Sequence, residues 1–261
     1  MNEPIRFDDG AAYERFMGAW SRLVGDVFID WLSPAPGQRW VDVGCGNGAF
    51  TESIIERCAP AAISGIDPAQ GQLDFARARP GARVARFDQG DAMALPYADK
   101  SFDVAVMALV IFFVPDPAKG VAEMARVVRP GGMVAAYAWD MPGGGFPMRA
   151  LQEELRAMGM AVPQPPSFDA SRIDVMESLW KGAGLSGVTT RQIEVQRTFA
   201  DYEELWSISQ LSPSTGPKLR ALPEAERATL KARLRGRFIA GAGGRITVSA
   251  RANAVCGQAP A

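Results

Sequence analysis

The chain contains no histidine among its 261 residues, and that absence excludes much chemistry. Ser-His-Asp hydrolysis, imidazole-ligated metals and imidazole proton shuttles all need a side chain that titrates near neutrality. The cysteines, Cys45, Cys58 and Cys256, are few, odd in number and without metal-ligand spacing. Neither a metal site nor a disulfide framework is expected, and a reducing compartment is. No apolar run approaches the length of a bilayer, and "MNEPIRFDDG" lacks a basic segment followed by an apolar core, so a cytoplasmic chain without a membrane span is expected. The net charge is −1, and basic residues are scattered apart from a modest cluster between Lys231 and Arg237. No nucleic-acid partner is expected from such a surface.

The length fits one large α/β domain. After a start that reads as disordered, "YERFMGAWSRLVGDVFIDWL" places Phe16, Trp20, Leu23, Val24, Val27 and Leu32 at helical spacing, and "SPAPG" stops the helix. Strand and helix patterns then alternate: "RWVDV", "AFTESIIERCA", "AAISGID", "AQGQLDFARAR", "ARVARFDQGD", "FDVAVMALV". A helix "AKGVAEMARVV" ends at "RPGG", and "MVAAYAWD" supplies a fifth strand. This rhythm predicts a doubly wound parallel sheet with helices on both faces. Beyond Asp140 the rhythm changes. A loop "GGGFPM", two helices, the strand "VTTRQIEVQRTF", further helices over about 200–240 and the strand "RITVSARANAVC" follow. Pairing of these last strands antiparallel at one edge would complete a seven-stranded, mainly parallel sheet. Three regions result: an N-terminal cap helix region 1–36, a ligand-binding core 37–140, and a half 141–261 that completes the sheet and carries a helical cap.

The stretch "VDVGCGNGAF" sits where a doubly wound sheet holds its ligand, in the loop after the first strand. Its glycines allow positive φ and close backbone approach, and the next helix presents amide N–H groups. A dinucleotide fingerprint needs its third glycine one residue later than Gly48, and a P-loop needs a lysine that is missing. Asp67 closes the second strand, where a carboxylate accepts both hydroxyls of a ribose. Asp91 follows the third strand, placed to accept a hydrogen bond from an exocyclic amine such as that of adenine. Each acid alone is also a common turn former.

Together "VDVGCGNG", "GIDPA", "GDAMALPY", "SFDVAVMALVIFFVPDP" and "EMARVVRPGG" resemble the motif series of class I S-adenosylmethionine-dependent methyltransferases. The likeness is to the small-molecule group with a methyltransferase type 11 domain that includes ubiquinone and menaquinone biosynthesis methyltransferases. It covers residues 37–140, and the opening "YERFMGAWSRL" resembles the helix that many such enzymes place over the cofactor; from 141 onward the match is weak. The resemblance implies a Rossmann-like fold, S-adenosylmethionine as cofactor and S-adenosylhomocysteine as product. It places Gly44, Gly46, Asn47 and Gly48 along the methionine part, with Asp42 anchoring the loop and reaching the amino group. Asp67 would take the ribose hydroxyls, with Pro68 and Gln72 nearby, Asp91 would face the adenine amine while Ala92 offers backbone contacts, and Ala108, Leu109 and Val110 would line the methionine side. Tyr13, Met17, Trp20 and Arg22 would close over the cofactor, Arg22 as a candidate for its carboxylate; a core Trp20 and a surface Arg22 are the competing reading.

Methyl transfer from a sulfonium is an in-line displacement, so the protein's task is alignment and water exclusion, worth ~7–11 kcal/mol. The sequence carries Phe112 and Phe113 where many relatives have one or two histidines. A base, if the acceptor needs one, would come from Asp140, Glu123 or Tyr137, with Asp140 best placed but also a loop-capping acid; the acceptor's own acidity is the alternative. Phe112, Phe113, Trp139, Phe146 and Met148 suit an apolar or aromatic small-molecule acceptor, with Trp206 a further candidate or simply core. The rival reading is a non-catalytic module that senses S-adenosylmethionine or S-adenosylhomocysteine. A nicotinamide oxidoreductase is disfavoured by the glycine spacing. The acceptor and the oligomeric state do not follow from the sequence.

Overall fold

The structure, a computed structural model, describes residues 10–260, without the side chain of Tyr13. The expectation of a disordered start falls largely on residues 1–9, outside the described residues. Strands β1 (Arg39–Val43), β2 (Ala62–Asp67), β3 (Arg86–Gln89), β4 (Phe102–Ala108), β5 (Val128–Trp139), β6 (Ser186–Phe199) and β7 (Ile246–Gln258) form one seven-stranded sheet in the order β3-β2-β1-β4-β5-β7-β6. β1 to β5 run parallel, and β7 lies antiparallel between β5 and β6. The sheet is therefore the mainly parallel, doubly wound one expected, with the antiparallel pair at its edge. Strand order reverses between β1 and β4, which opens a crevice beyond their carboxyl ends.

The buried strands are near-continuous apolar runs: Trp40, Val41 and Val43 on β1 and Val104 to Met107 on β4 are all within 1% of full burial. Helices cover both faces. α1 (Gly10–Tyr13) and α2 (Ala19–Leu32) precede β1; α3 (Ala49–Cys58), α4 (Gln70–Ala78) and α5 (Pro117–Val127) are crossovers; α6 (Arg149–Ala157) and α7 (Ile173–Gly182) follow β5. α2 packs on α3 and β6, whereas α7 packs on α5 and the β6–β7 pair from the other side. On the first side Phe28 of α2 meets Tyr137 and Phe50 at ring separations of 4.8 and 6.1 Å, and Trp20 meets Trp139 edge-on at 6.3 Å. On the second, Trp180 of α7 donates its ring N–H to the Val134 carbonyl at 2.8 Å, so a large buried side chain keeps its one donor satisfied.

Two expectations are refined. The N-terminal helix is not one α-helix: a π-helical segment Glu14–Gly18 joins α1 to α2, and such i→i+5 turns leave no mark in apolar periodicity. Strand β5 begins at Val128, earlier than the "RPGG" break suggested; the helix does stop there, but the register to β4 shifts between Phe102 and Val104, so the Pro-Gly residues form a bulge. Between β6 and β7 lie α8 (Tyr202–Ser209), α9 (Gly216–Ala221) and α10 (Glu224–Arg235), the helical insertion foreseen before the last strand.

Candidate cofactor and acceptor site

A cavity of about 1010 Å³ opens at the switch point, lined by the loops after β1, β2, β3 and β4 and by Ser21 of α2. Its floor is the glycine loop. Gly44, Gly46 and Gly48 all have φ between +51° and +78°. At Gly44 an added Cβ would lie 2.5 Å from a Val110 methyl carbon, so only glycine lets the loops after β1 and β4 meet. The loop is tied back to β2, with Gly44 and Cys45 N–H groups both donating to the Ile66 carbonyl.

Three carboxylates face this space. Asp42, at 0% exposure, accepts from the Thr51 hydroxyl at 2.6 Å through Oδ2, while Oδ1 has no hydrogen-bond partner among the described residues. Burial, opposed by Thr51 and reinforced by the nearby Asp67 charge, lifts its pKa to about 7. Asp67 accepts the Gly46 and Ala69 N–H groups at 2.9 Å, one on each oxygen, and burial raises its pKa against those two bonds. Each oxygen keeps a second lone pair for a further donor. Asp91 is exposed at the rim and accepts the Met93 N–H at 2.8 Å, an Asx turn that fixes its direction. Among the described residues no lysine or arginine lines the cavity.

A narrower pocket of about 60 Å³ shares Leu109, Phe113 and Pro165 with the cavity and so lies beside it. Its walls are Phe16, Met17, Phe112, Trp139, Met141 and Phe146, with Gln152 and Ser214 as polar members.

Of the expected cofactor residues, Asp42, Gly44, Gly46, Asn47, Asp67, Pro68, Gln72, Asp91, Ala92, Ala108, Leu109 and Val110 line the cavity. Gly48 does not; it caps α3 and packs against Ala76. The N-terminal residues separate. Met17 lies in the narrow pocket instead. Trp20 is fully buried against Trp139 in the core. The Arg22 side chain is 55% exposed, pairs with Glu14 and is not among the residues that line the cavity. Tyr13 lies outside the described side chains. The helix position that does line the cavity is Ser21, one residue from each of the conspicuous neighbours. Ser21 and Met17 are four apart and share a helix face, whereas Arg22 is turned a further 100°.

The expected acceptor residues also divide. Phe112, Phe113, Trp139 and Phe146 line the narrow pocket. Met148 does not: it is buried beneath the cap, where Ser209 Oγ lies 3.5 Å from its sulfur. Trp206 is likewise core. Asp140, the candidate base, accepts from Arg251 at 2.7 Å and from the Gly143 N–H at 3.0 Å, lines neither space, and is a loop-capping acid. Glu123 is held by Arg126, which lowers its pKa, and by the Leu95 N–H, on the far side of the α5 turn. Of the three, Tyr137 is the one among the residues that line the cavity, with its ring packed against Phe28 and Phe50. Sequence reasoning missed Ser21, and also Gln164, Pro165 and Pro166 in the connector "VPQPPS", whose composition gave no sign that it returns to the switch point.

The donor set fits S-adenosylmethionine: an orphaned buried carboxylate oxygen suits an ammonium, a second carboxylate with free lone pairs suits a ribose, and the glycines leave room for the chain between them. Sheet order and cavity position together define the Rossmann-like class I methyltransferase fold.

Comparison with known proteins narrows this. Residues 41–136 match the family model described as a methyltransferase domain. A demethylmenaquinone methyltransferase of Renibacterium salmoninarum is 33% identical over 163 residues, 61% of this chain and 65% of that protein. One from Deinococcus radiodurans is 38% identical over 111 residues, 42% of this chain and 46% of that protein. The chain thus spans less than two thirds of the length of either relative. Among solved structures, phosphoethanolamine N-methyltransferase 2 of Haemonchus contortus in complex with S-adenosyl-L-methionine superposes with a TM-score of 0.59 at 16% identity, over 96% of this chain and 56% of that one, a likeness of fold. Residues 41–136 are thus similar to a methyltransferase domain, and the relatives they resemble are methyltransferases. Among the described residues no helix is long and apolar enough to cross a membrane.

Proposed function

We propose that this protein transfers a methyl group from S-adenosylmethionine to a small, largely apolar or aromatic molecule, without a histidine base. The observation that carries the reading is the adjacency of two unlike spaces: an acid-lined cavity that fits the cofactor, and an aromatic pocket that shares the walls Leu109 and Phe113 with it.

When bound, the cofactor supplies an activated methyl group on a sulfonium. Asp42 Oδ1 would hold its amino group, and Asp67 its ribose hydroxyls. Asp91 and Ala92 at the rim would hold the adenine. With Arg22 turned outward, the cofactor's carboxylate is left to neutral donors: the Ser21 hydroxyl and backbone N–H groups at the start of α3. The three acids give this cavity a negative character that favours a ligand carrying positive charge. Leu109, Phe113 and Trp139 exclude water from the junction and align the acceptor, and aromatic faces there suit a sulfonium. Tyr137, which lines this space from β5, is the candidate for a proton relay where the acceptor needs one.

The test is calorimetry with S-adenosylmethionine and NAD, followed by labelled methyl donor with quinols, phenols, amines and fatty-acid derivatives. Binding of the first cofactor and label transfer to one acceptor class support the reading. Tighter binding of NAD would sink it. Tight cofactor binding with every acceptor unlabelled favours a sensor instead.

A further inference from the structure

The polar end of the narrow pocket says what the acceptor carries, an inference that rests on the methyltransferase reading above. Among the described residues, none of the side chains lining this pocket is ionisable. That neutrality is maintained among charged neighbours. On α6, Glu153 and Glu154 follow Gln152 directly, yet Glu153 pairs with Arg149 and Arg237, and Glu154 with Arg233 and Arg237, which draws both carboxylates towards α10. At the mouth of the next loop, Asp140 is neutralised by Arg251. Among the described residues, α6 therefore offers the pocket one side chain, the Gln152 amide. The loop between α8 and α9 contributes the other polar side chain of the lining, Ser214, whose hydroxyl lies 3.1 Å from that of Ser212.

An amide presents a donor and an acceptor together, and a hydroxyl either one. A carboxylate, phosphate or ammonium held against these two half-buried side chains would lose part of its hydration and meet no counter-charge among the described lining residues. We propose that the acceptor enters with an uncharged, hydrogen-bonding end, a hydroxyl, carbonyl or amide, that Gln152 and Ser214 read, while its apolar body lies in the space shared at Leu109 and Phe113. Gln152 and Ser214 are then specificity-determining residues supplied by the half of the chain that least resembles its relatives.

The experiment uses the full chain saturated with S-adenosylhomocysteine and measures binding of a matched series: 2-naphthol, 2-naphthamide, 2-methylnaphthalene, 2-naphthoate and 2-naphthyltrimethylammonium. The neutral polar pair is expected to bind at least about tenfold more tightly than either ion. In Gln152→Leu and Ser214→Ala, 2-naphthamide loses roughly five- to tenfold while 2-methylnaphthalene changes by less than about twofold, the signature of a lost hydrogen bond and not of a collapsed pocket. Unchanged affinity for S-adenosylhomocysteine certifies that both variants are folded. An ion that binds as tightly as 2-naphthol, an indifferent 2-naphthamide in Gln152→Leu, or no naphthalene binding at all would overturn the proposal. Because these readouts need no methyl transfer, they stand apart from the function itself: absent transfer with the ranking intact removes the enzyme and keeps the subsite.

Discussion

The two neighbouring spaces of the molecule have opposite characters. The cavity is walled by backbone in left-handed conformations and three carboxylates, each placed by a strand end of the half from 37 to 140; the narrow pocket is walled by rings, thioethers and two neutral polar groups, drawn from the N-terminal segment, from 109–139 and from the half from 141 to 260. The first wall is made of positions where the chain has no alternative. The second is made of side chains that many apolar residues of similar size would replace. Recognition of a cofactor is thus fixed by geometry, and recognition of an acceptor by filling, a division that leaves the second free to vary.

Asp67→Ala should separate the halves most sharply. Loss of two hydrogen bonds from ribose hydroxyls to a charged acceptor, each worth about 1.5–3 kcal/mol, predicts at least about 100-fold weaker S-adenosylmethionine binding by calorimetry. Affinity within threefold of the parent would remove Asp67 from the ribose site. Because Asp67 also holds the Gly46 and Ala69 N–H groups, the more conservative Asp67→Asn belongs in the same experiment; it keeps one oxygen acceptor and should lose less.

Gly44→Ala tests the backbone itself. The new methyl group would occupy φ +75° and press within 2.5 Å of Val110, which together cost about 2–4 kcal/mol. For a chain of this size that lowers Tm by roughly 5–15 °C. Val110→Ala in the same chain should recover the contact part of the loss but not the φ part. Full recovery, or none, would show that only one of the two causes operates.

What was legible in the sequence follows the same division. The glycines and Asp67 were readable because a turn at a strand end restricts which residues fit, and the restriction survives any packing. Trp20 and Arg22 were chosen over Ser21 because size and charge draw the eye, whereas helix phase decides, and the π-helical segment ahead of α2 makes phase unreadable from apolar spacing. Met148 failed for a different reason: it lies two residues beyond Phe146, but α6 begins next to it and turns it beneath α8. Gln152 and the 163–166 connector were invisible because their role depends on how the second half folds back, which no local pattern encodes.

A pH series sharpens the comparison on the cofactor side. Asp42 has its pKa raised from 3.8 to about 7 by burial, so in the free protein it is largely protonated below neutrality and must ionise to hold an ammonium. S-adenosylmethionine affinity should therefore rise about tenfold per unit up to about pH 7 and flatten above. Asp42→Asn should bind weakly with no such slope, and a slope that persists would assign it to another group. The stability of the free protein runs the other way. A folded-state pKa above the unfolded one favours folding fully below about pH 3.8, and that contribution is lost as pH rises through about 7.

The smallest expected effect concerns Asp140, where sequence position suggested chemistry and the structure shows a clamp. Its carboxylate is 9% exposed and joins Arg251 of β7 to the Gly143 turn, so Asp140→Asn should weaken one partly buried ion pair and retain the acceptor for Gly143. A stability loss of about 1–2 kcal/mol and a kcat within about twofold of the parent are expected, once an acceptor is in hand. The pH profile of kcat should keep its shape, since no proton passes through this group. A fall in kcat beyond about 100-fold with unchanged Tm would restore Asp140 as the base. The base would then come from the loop that joins the two halves, and acceptor chemistry would no longer belong to the neutral pocket alone.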